Sequence, residues 1–178
     1  MLDAANDNLR PEIEYRQTFV EELELPEANF DLVFNSLMFH YIGDLKPVFE
    51  KIHSWPRVGG NLVFSIEHPI MVAGQGVTPG WIKDETGKRV GWEVNDYSIE
   101  GECNSHWIVD DVVKYQRTIA TTMNVLVDSG LSVDRVSEAY ATPEDEKLDP
   151  DLAQERIRPP FLFVRAIAEY PPTTRTSY

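Results

Sequence analysis

Along most of this chain, apolar residues gather in short dense runs separated by polar turns. Residues 30–36 (FDLVFNS) form one run, closed by polar residues; residues 61–66 (NLVFSI) form another, entered through Gly59 and Gly60. Runs of this length bounded by turn residues predict strands. Between them, residues 45–55 carry apolar positions at helical spacing, which predicts a helix. Strand, helix, strand is a parallel βαβ unit. The nearly continuous apolar character of both strands fits a sheet covered by helices on both faces.

The same pattern places the remaining elements. Residues 1–8 predict the remnant of a helix, residues 12–18 (EIEYRQT) alternate as a strand, and residues 20–26 form an acidic loop. From residue 70 to about 117 the periodicity fades and glycines punctuate the chain, among them Gly80, Gly87, Gly91 and Gly101. That length exceeds a plain connection and predicts a lid or insertion. Trp81, Trp92, Tyr97 and Trp107 would let it pack over a site. Thr118 then N-caps a helix to residue 128, with Gly130 at its C-terminal end. Residues 131–139 and 161–168 predict the last two strands as antiparallel neighbours. The string TPED starts a short helix between them, with Pro143 at the first helical position.

Composition narrows the function classes. A chain of 178 residues with 42% apolar content buries one core, so one domain over residues 1–178 is expected. A net charge of −14 argues against nucleic acid and anionic membrane surfaces as partners and favours solubility. The single cysteine, Cys103, has no partner for an internal disulfide and no Cys or His at ligand spacing, so no metal is assigned. With no signal peptide and no apolar run long enough to span a bilayer, a cytoplasmic protein is expected.

The string FDLVFNSLMFHYIGDLKPVFEKIHSWPRVGGNLVFSIEHP resembles the middle of class I S-adenosylmethionine (SAM) dependent methyltransferases. It is most similar to a bacterial, methyltransferase type 11-like branch. There the fourth strand leads into S-L-x-x-H-Y, here Ser36, Leu37, His40 and Tyr41, and the fifth ends in E-H-P, here Glu67, His68 and Pro69. The similarity continues through Trp81, through WIVDDVVKYQRT at 107–118, and into RPPFLFV at 158–164. The resemblance implies an α/β, Rossmann-like methyltransferase fold with a mixed sheet whose last strand is antiparallel, and SAM as cofactor. It also implies methyl transfer to a small-molecule acceptor.

Members of this class open with a strand, a glycine-rich turn of the G-x-G-x-G kind, a helix, and a second strand ending in an acidic residue. No such pattern occurs in the 178 residues. The fold is therefore expected to be incomplete, with the first two strands and first helix absent. The family sheet runs 3-2-1-4-5-7-6, so removing strands 1 and 2 leaves a gap of about 14 Å between strands 3 and 4. Leu32, Val33 and Phe34 would then lie on an unpaired apolar edge, which promotes pairing with another chain. Either strands pair across a homodimer, or strand 3 relocates beside strand 4. A non-catalytic remnant acting through self-association or a partner, and a small-molecule binding module without cofactor, are the alternatives to an enzyme.

Candidate site residues follow from strand ends and from the resemblance. Asn35 and Ser36 lie at the carboxyl end of a parallel strand, where open α/β sheets bind ligands; the resemblance turns them toward the methionine part of SAM, and a plain strand-end turn is the other reading. The resemblance also places His40 and Tyr41 on the cofactor side, and Phe19, Val20 and Glu21 in the loop that grips adenine; Glu21, Glu22 and Glu24 also read as a solvated acidic loop. His68 is the candidate proton acceptor from a substrate hydroxyl, phenol or amine, with Glu67 orienting its ring or holding substrate. Trp81, Trp107, Lys114 and Arg117 are candidates for substrate binding. At Gln116 the resembling family tends to carry histidine; if that histidine assists catalysis in relatives, the base is missing here.

Overall fold

The computed structural model describes residues 12–73, 80–105 and 112–169. The βαβ unit forms as its pattern predicts. Strand β1 (Phe30–Ser36) lies parallel to β2 (Pro56–Glu67), with Leu32 opposite Asn61 and Ser36 opposite Ser65. Helix α1 (Leu45–Ser54) connects them. Asp44 caps it by accepting from the Lys46 N–H, and Leu45, Val48, Phe49 and Ile52 form its buried stripe. A 3₁₀ turn (Phe39–Tyr41) precedes the helix and inserts Phe39 against Phe49 and Phe64, with ring centroids 5.0 and 5.1 Å away in edge-to-face geometry.

Strand β2 begins at Pro56, ahead of the predicted start, so Gly59 and Gly60 lie within it. On its far side it pairs antiparallel with β8 (Phe161–Ala168), which pairs antiparallel with β7 (Leu131–Glu138). The sheet order β1-β2-β8-β7 corresponds to the expected 4-5-7-6 half. Helix α2 (Pro69–Val72) follows β2 directly. Helix α3 (Ile119–Asp128) starts at the predicted Thr118 cap, which accepts from the Thr121 N–H at 3.1 Å. Gly130 follows its end with φ +88°, the left-handed conformation that glycine permits. Helix α4 (Pro143–Leu148) carries a capping box between Thr142 and Asp145.

The core lies on one face of the sheet. Leu62, Phe64 and Ile66 of β2 and Leu162, Val164 and Ala166 of β8 are buried there with the apolar stripe of α1 and Leu126 of α3. The opposite face departs from expectation. Leu32 is 52% exposed, Phe34 67% and Phe163 43%, so among the described residues this face carries no helical cover. Among the described residues strand β1 is an edge, paired only with β2.

Residues 12–18 are a second departure, since they form no strand, either beside β1 or elsewhere. Alternation makes a strand only when a neighbour supplies the ladder, and here Ile13 and Tyr15 stay 44% and 43% exposed. Val20, Leu23 and Leu25 instead pack against the core. The predicted helix at 1–8 lies outside the described residues. The 70–117 region contains two small antiparallel pairs: β3 (Trp81–Lys83) with β4 (Arg89–Trp92), and β5 (Gly101–Ser105) with β6 (Val112–Gln116).

Candidate functional site

Parallel pairing brings the carboxyl ends of β1 and β2 to one edge, so Asn35, Ser36, Glu67 and His68 emerge together. Leu37, with φ +54°, turns the chain sharply there, and its N–H donates to the Ser65 carbonyl at 3.0 Å. That turn swings the Phe39–Tyr41 segment back over the strand ends. The cleft beneath is lined by Phe39, His40, Leu45, Ile66, Glu67, Pro69, Val72, Tyr115, Arg117 and Thr122, and it holds about 20 Å³. That is room for one water or one small functional group.

Asn35 donates from Nδ2 toward the Met38 sulfur at 3.5 Å, while its Oδ1 is buried with no hydrogen-bond partner. A buried acceptor left without a donor costs free energy of about 1–3 kcal/mol. Ser36 beside it is exposed.

Glu67 is 6% exposed and accepts from Lys114 Nζ at 2.8 Å on both oxygens. Lys114 comes from β6, is itself 2% exposed, and stands 5.9 Å from the centroid of the Tyr41 ring. The Glu67 N–H donates to His40 Nδ1 at 3.4 Å. Burial lowers the His40 pKa to about 4, with Glu67 pulling it up and Lys114 pushing it down. At neutral pH His40 is therefore uncharged; with Nδ1 accepting, its ring proton sits on Nε2.

His68 is placed differently from a free base. Its Nδ1 accepts from the Ile70 N–H at 3.3 Å, capping α2, and its Nε2 lies 2.9 Å from Glu138 Oε1 at the end of β7. With Nδ1 accepting, a neutral ring donates from Nε2 to that carboxylate, and no lone pair remains for a substrate proton. The side chain is 5% exposed. In this geometry both ring nitrogens are engaged, and His68 pins α2 and the strand end to β7.

Arg117 spends one guanidinium nitrogen on the carbonyls of Ile42 and Gly43, the latter at 2.7 Å, and its carbon lies 5.5 Å from the Tyr115 ring centroid. Burial lowers its pKa, while Glu100 and Asp44 work in the other direction. Gln116 points its Nε2 at the Tyr97 carbonyl and leaves Oε1 buried without a partner. Trp81 meets Trp92 edge-on at 5.1 Å on the β3–β4 hairpin; Trp107 lies outside the described residues.

The structure does not bring the 19–21 loop to this cleft. Lys51, in the last turn of α1, holds it by donating to the Glu21 carbonyl at 2.7 Å and to Glu24. Leu45, which lines the cleft, begins the same helix at its other end. Phe19 is 72% exposed and Val20 packs on the core. A larger cleft of about 490 Å³ opens at the amino ends of β1 and β2, lined by Glu27, His53, Val58 and Glu169 among others, far from these strand-end groups.

Glu138, Arg89 and Arg158 escaped the reading of the sequence, because no local pattern ties Glu138 to His68, Arg89 to Gln154, or Arg158 to Trp81 and Trp92. Among the described residues no cluster of His, Cys, Asp or Glu could hold a metal ion, and no helix is long and apolar enough to cross a membrane.

Comparison with known proteins places this arrangement. The methyltransferase domain family matches residues 1–64. An uncharacterized protein of Haemophilus influenzae is 33% identical over 150 residues, covering 83% of this chain; the chain spans 58% of that relative's length. The crystal structure of an S-adenosylmethionine dependent methyltransferase from Mesorhizobium loti superposes with a TM-score of 0.85 at 37% identity, over 94% of this chain and 75% of that one. A putative S-adenosylmethionine dependent methyltransferase from Listeria monocytogenes does so with 0.82 at 31% identity, over 94% and 74%. At these identities and coverages the chain belongs to the S-adenosylmethionine-dependent methyltransferases, and its open mixed sheet is the Rossmann-like fold of that family.

Proposed function

We propose that this chain transfers a methyl group from S-adenosylmethionine to a small-molecule acceptor at the carboxyl ends of β1 and β2. The observation that carries the reading is the Asn35 Oδ1 atom, buried without a donor at the end of a parallel strand. That acceptor fits the ammonium of the methionine part of the cofactor. Asn35 and Ser36 would hold that part, with Tyr41 closing over it. When bound, the cofactor supplies a methyl group activated by its own sulfonium charge, so the protein's task is mainly positioning and exclusion of water.

Each side chain then has a definite task. Glu67 keeps carboxylate lone pairs beyond the two that Lys114 uses, so it can orient the acceptor's O–H or N–H at the cleft. Lys114 neutralises that carboxylate in a buried setting. His40, uncharged at neutral pH, offers an Nε2–H donor, and His68 fixes the strand end on which Glu67 sits. Such a site suits an acceptor that needs no strong base.

Calorimetric titration of S-adenosylhomocysteine and SAM into the 178-residue chain tests the reading. Micromolar binding, weakened about tenfold by Asn35→Ala, is expected from the loss of one charge-assisted hydrogen bond. Absence of binding in a folded sample would overturn it.

A second reading draws on the exposed Leu32 and Phe34 of the edge strand β1. Two copies pairing along β1 would complete a ladder and set these residues side by side across the seam, making self-association part of the function. Solution mass of the chain and of Phe34→Lys decides it. A dimer abolished by the substitution supports the reading; a monomer at high concentration removes it.

A further inference from the structure

We infer that Arg89 and Arg158, stacked with Trp81 and Trp92, form a seat for an anionic group, a carboxylate or phosphoryl, carried by the methyl acceptor. The inference rests on the methyl-transfer reading for the identity of the ligand as acceptor; the seat itself rests on geometry. The Arg158 guanidinium carbon lies 4.8 Å from the Trp81 ring centroid and 4.4 Å from that of Trp92. The Arg89 carbon lies 4.8 Å from the same Trp81 ring. Two like charges thus share one aromatic surface.

Neither makes a close ion pair with a carboxylate among the described residues; Glu155 acts on Arg158 only through its charge. Arg158 Nε is buried with no hydrogen-bond partner, and Arg89 donates to the neutral amide oxygen of Gln154. Other arginines of the chain do find acids: Arg57 with Asp31, Arg156 with Glu146, Arg165 with Asp134. In a sequence with 30 acidic and 16 basic residues, two neighbouring arginines that share one aromatic surface with no close carboxylate present a local positive charge that an external anion would complement. Burial lowers the Arg158 pKa; Glu155 opposes this shift, and Arg89 reinforces it. Cation–π attraction fixes the guanidinium planes but satisfies none of their edge N–H groups, which match the oxygens of a carboxylate or phosphoryl group.

The seat borders the reaction cleft. Trp92 Nε1 donates to the Ile70 carbonyl at 3.0 Å, and Ile70 belongs to α2, whose Pro69 and Val72 line the cleft. On the other side the His68 N–H donates to the Pro160 carbonyl at 2.9 Å, two residues beyond Arg158. An acceptor could place its reacting group beside Glu67 and its anionic group on the two arginines.

Tryptophan fluorescence of the full chain, titrated with sodium benzoate and separately with potassium phosphate at constant ionic strength in chloride, tests the seat; Trp81→Phe assigns the signal. Saturable quenching by at least one probe is expected, with the midpoint raised about tenfold or more by Arg89→Gln and by Arg158→Gln. The probe that saturates tells carboxylate from phosphoryl. S-adenosylhomocysteine affinity should stay unchanged in both variants. Arg89 is exposed, so its substitution reports even where Arg158→Gln fails to fold. Quenching that never saturates, or that both variants leave unaltered, overturns the seat. Saturation by a probe in a chain that does not bind S-adenosylhomocysteine supports the seat and sinks the methyl-transfer reading instead.

Discussion

Lys114 on β6 donates from Nζ to both carboxylate oxygens of Glu67, the last residue of β2, at 2.8 Å, with the two side chains 3% and 6% exposed. The pair ties the β5–β6 arm to the edge of the main sheet. Removing one partner of a buried pair leaves a charge uncompensated, so Lys114→Met should destabilise by about 3–5 kcal/mol. Glu67→Gln removes the carboxylate that both close contacts of the Lys114 ammonium use, and should also destabilise. The double substitution should recover part of the loss, because neither member of the pair is then charged opposite a neutral partner. Urea unfolding of the single and double variants measures the coupling; strictly additive losses would show that the two groups do not act as a pair.

His40 predicts a pH dependence. Its folded pKa of about 4 lies below its ordinary value of 6.5, chiefly because it is buried. Above that ordinary value neither the folded nor the unfolded chain carries the proton. Between the two values the unfolded chain binds a proton that the folded one refuses, so stability falls as the pH drops, and it stops falling on this account below about 4. The full effect is roughly 3 kcal/mol. His40→Gln should remove this contribution. Denaturation of both proteins from pH 7.5 to 4 checks it: the wild type should lose more stability than the variant, and parallel curves would refute the assignment.

His68 makes a prediction that separates position from proton transfer. His68→Ala deletes the cap on α2 and the bond to Glu138, so it should cost about 1–2 kcal/mol of stability. Turnover should fall through misplacement of Glu67, while the pH profile of kcat keeps its shape. Loss of a basic limb from that profile in the variant would restore His68 as the proton acceptor. Glu138→Gln, which keeps a hydrogen-bond acceptor, should reproduce only part of the stability loss.

The sequence made the βαβ unit and the last two strands legible because their signals are local: apolar runs of strand length, a helical stripe at Leu45, Val48, Phe49 and Ile52, and the Thr118 and Thr142 caps. Residues 12–18 misled, because alternation states that a segment could pair and not whether a partner lies beside it. The bare face carrying Leu32, Phe34 and Phe163 was hidden for a related reason: a continuous apolar run implies two covered faces and cannot name what covers them. At the site, strand ends located Asn35, Glu67 and His68, since ligands gather at the carboxyl edge of parallel sheets. That both His68 nitrogens are engaged depends on Glu138, 70 residues on, and no local pattern carries that contact.

Gly59 and Gly60 are adjacent and need glycine for different reasons. Gly59 has φ +78° with nothing near the place a Cβ would take, so Gly59→Ala meets only backbone strain of about 1–2 kcal/mol. Gly60, by contrast, is not among the residues with positive φ. Its constraint is crowding: a Cβ there would stand 2.8 Å from Pro56 Cβ, 2.9 Å from the Arg57 carbonyl oxygen and 3.0 Å from the Phe30 carbonyl oxygen. Two of those three neighbours are main chain and cannot rotate away, and the β1–β2 register shifts between Phe30 and Leu32 next to this point. Gly60→Ala should therefore cost about 1–3 kcal/mol, and Gly60→Val more, by forcing β1 away from the start of β2. Thermal unfolding of the three variants, with amide exchange at Phe30 and Leu32, tells the causes apart. Faster exchange should follow substitution at Gly60 alone; equal exchange in the Gly59 variant would mean that backbone conformation governs both positions.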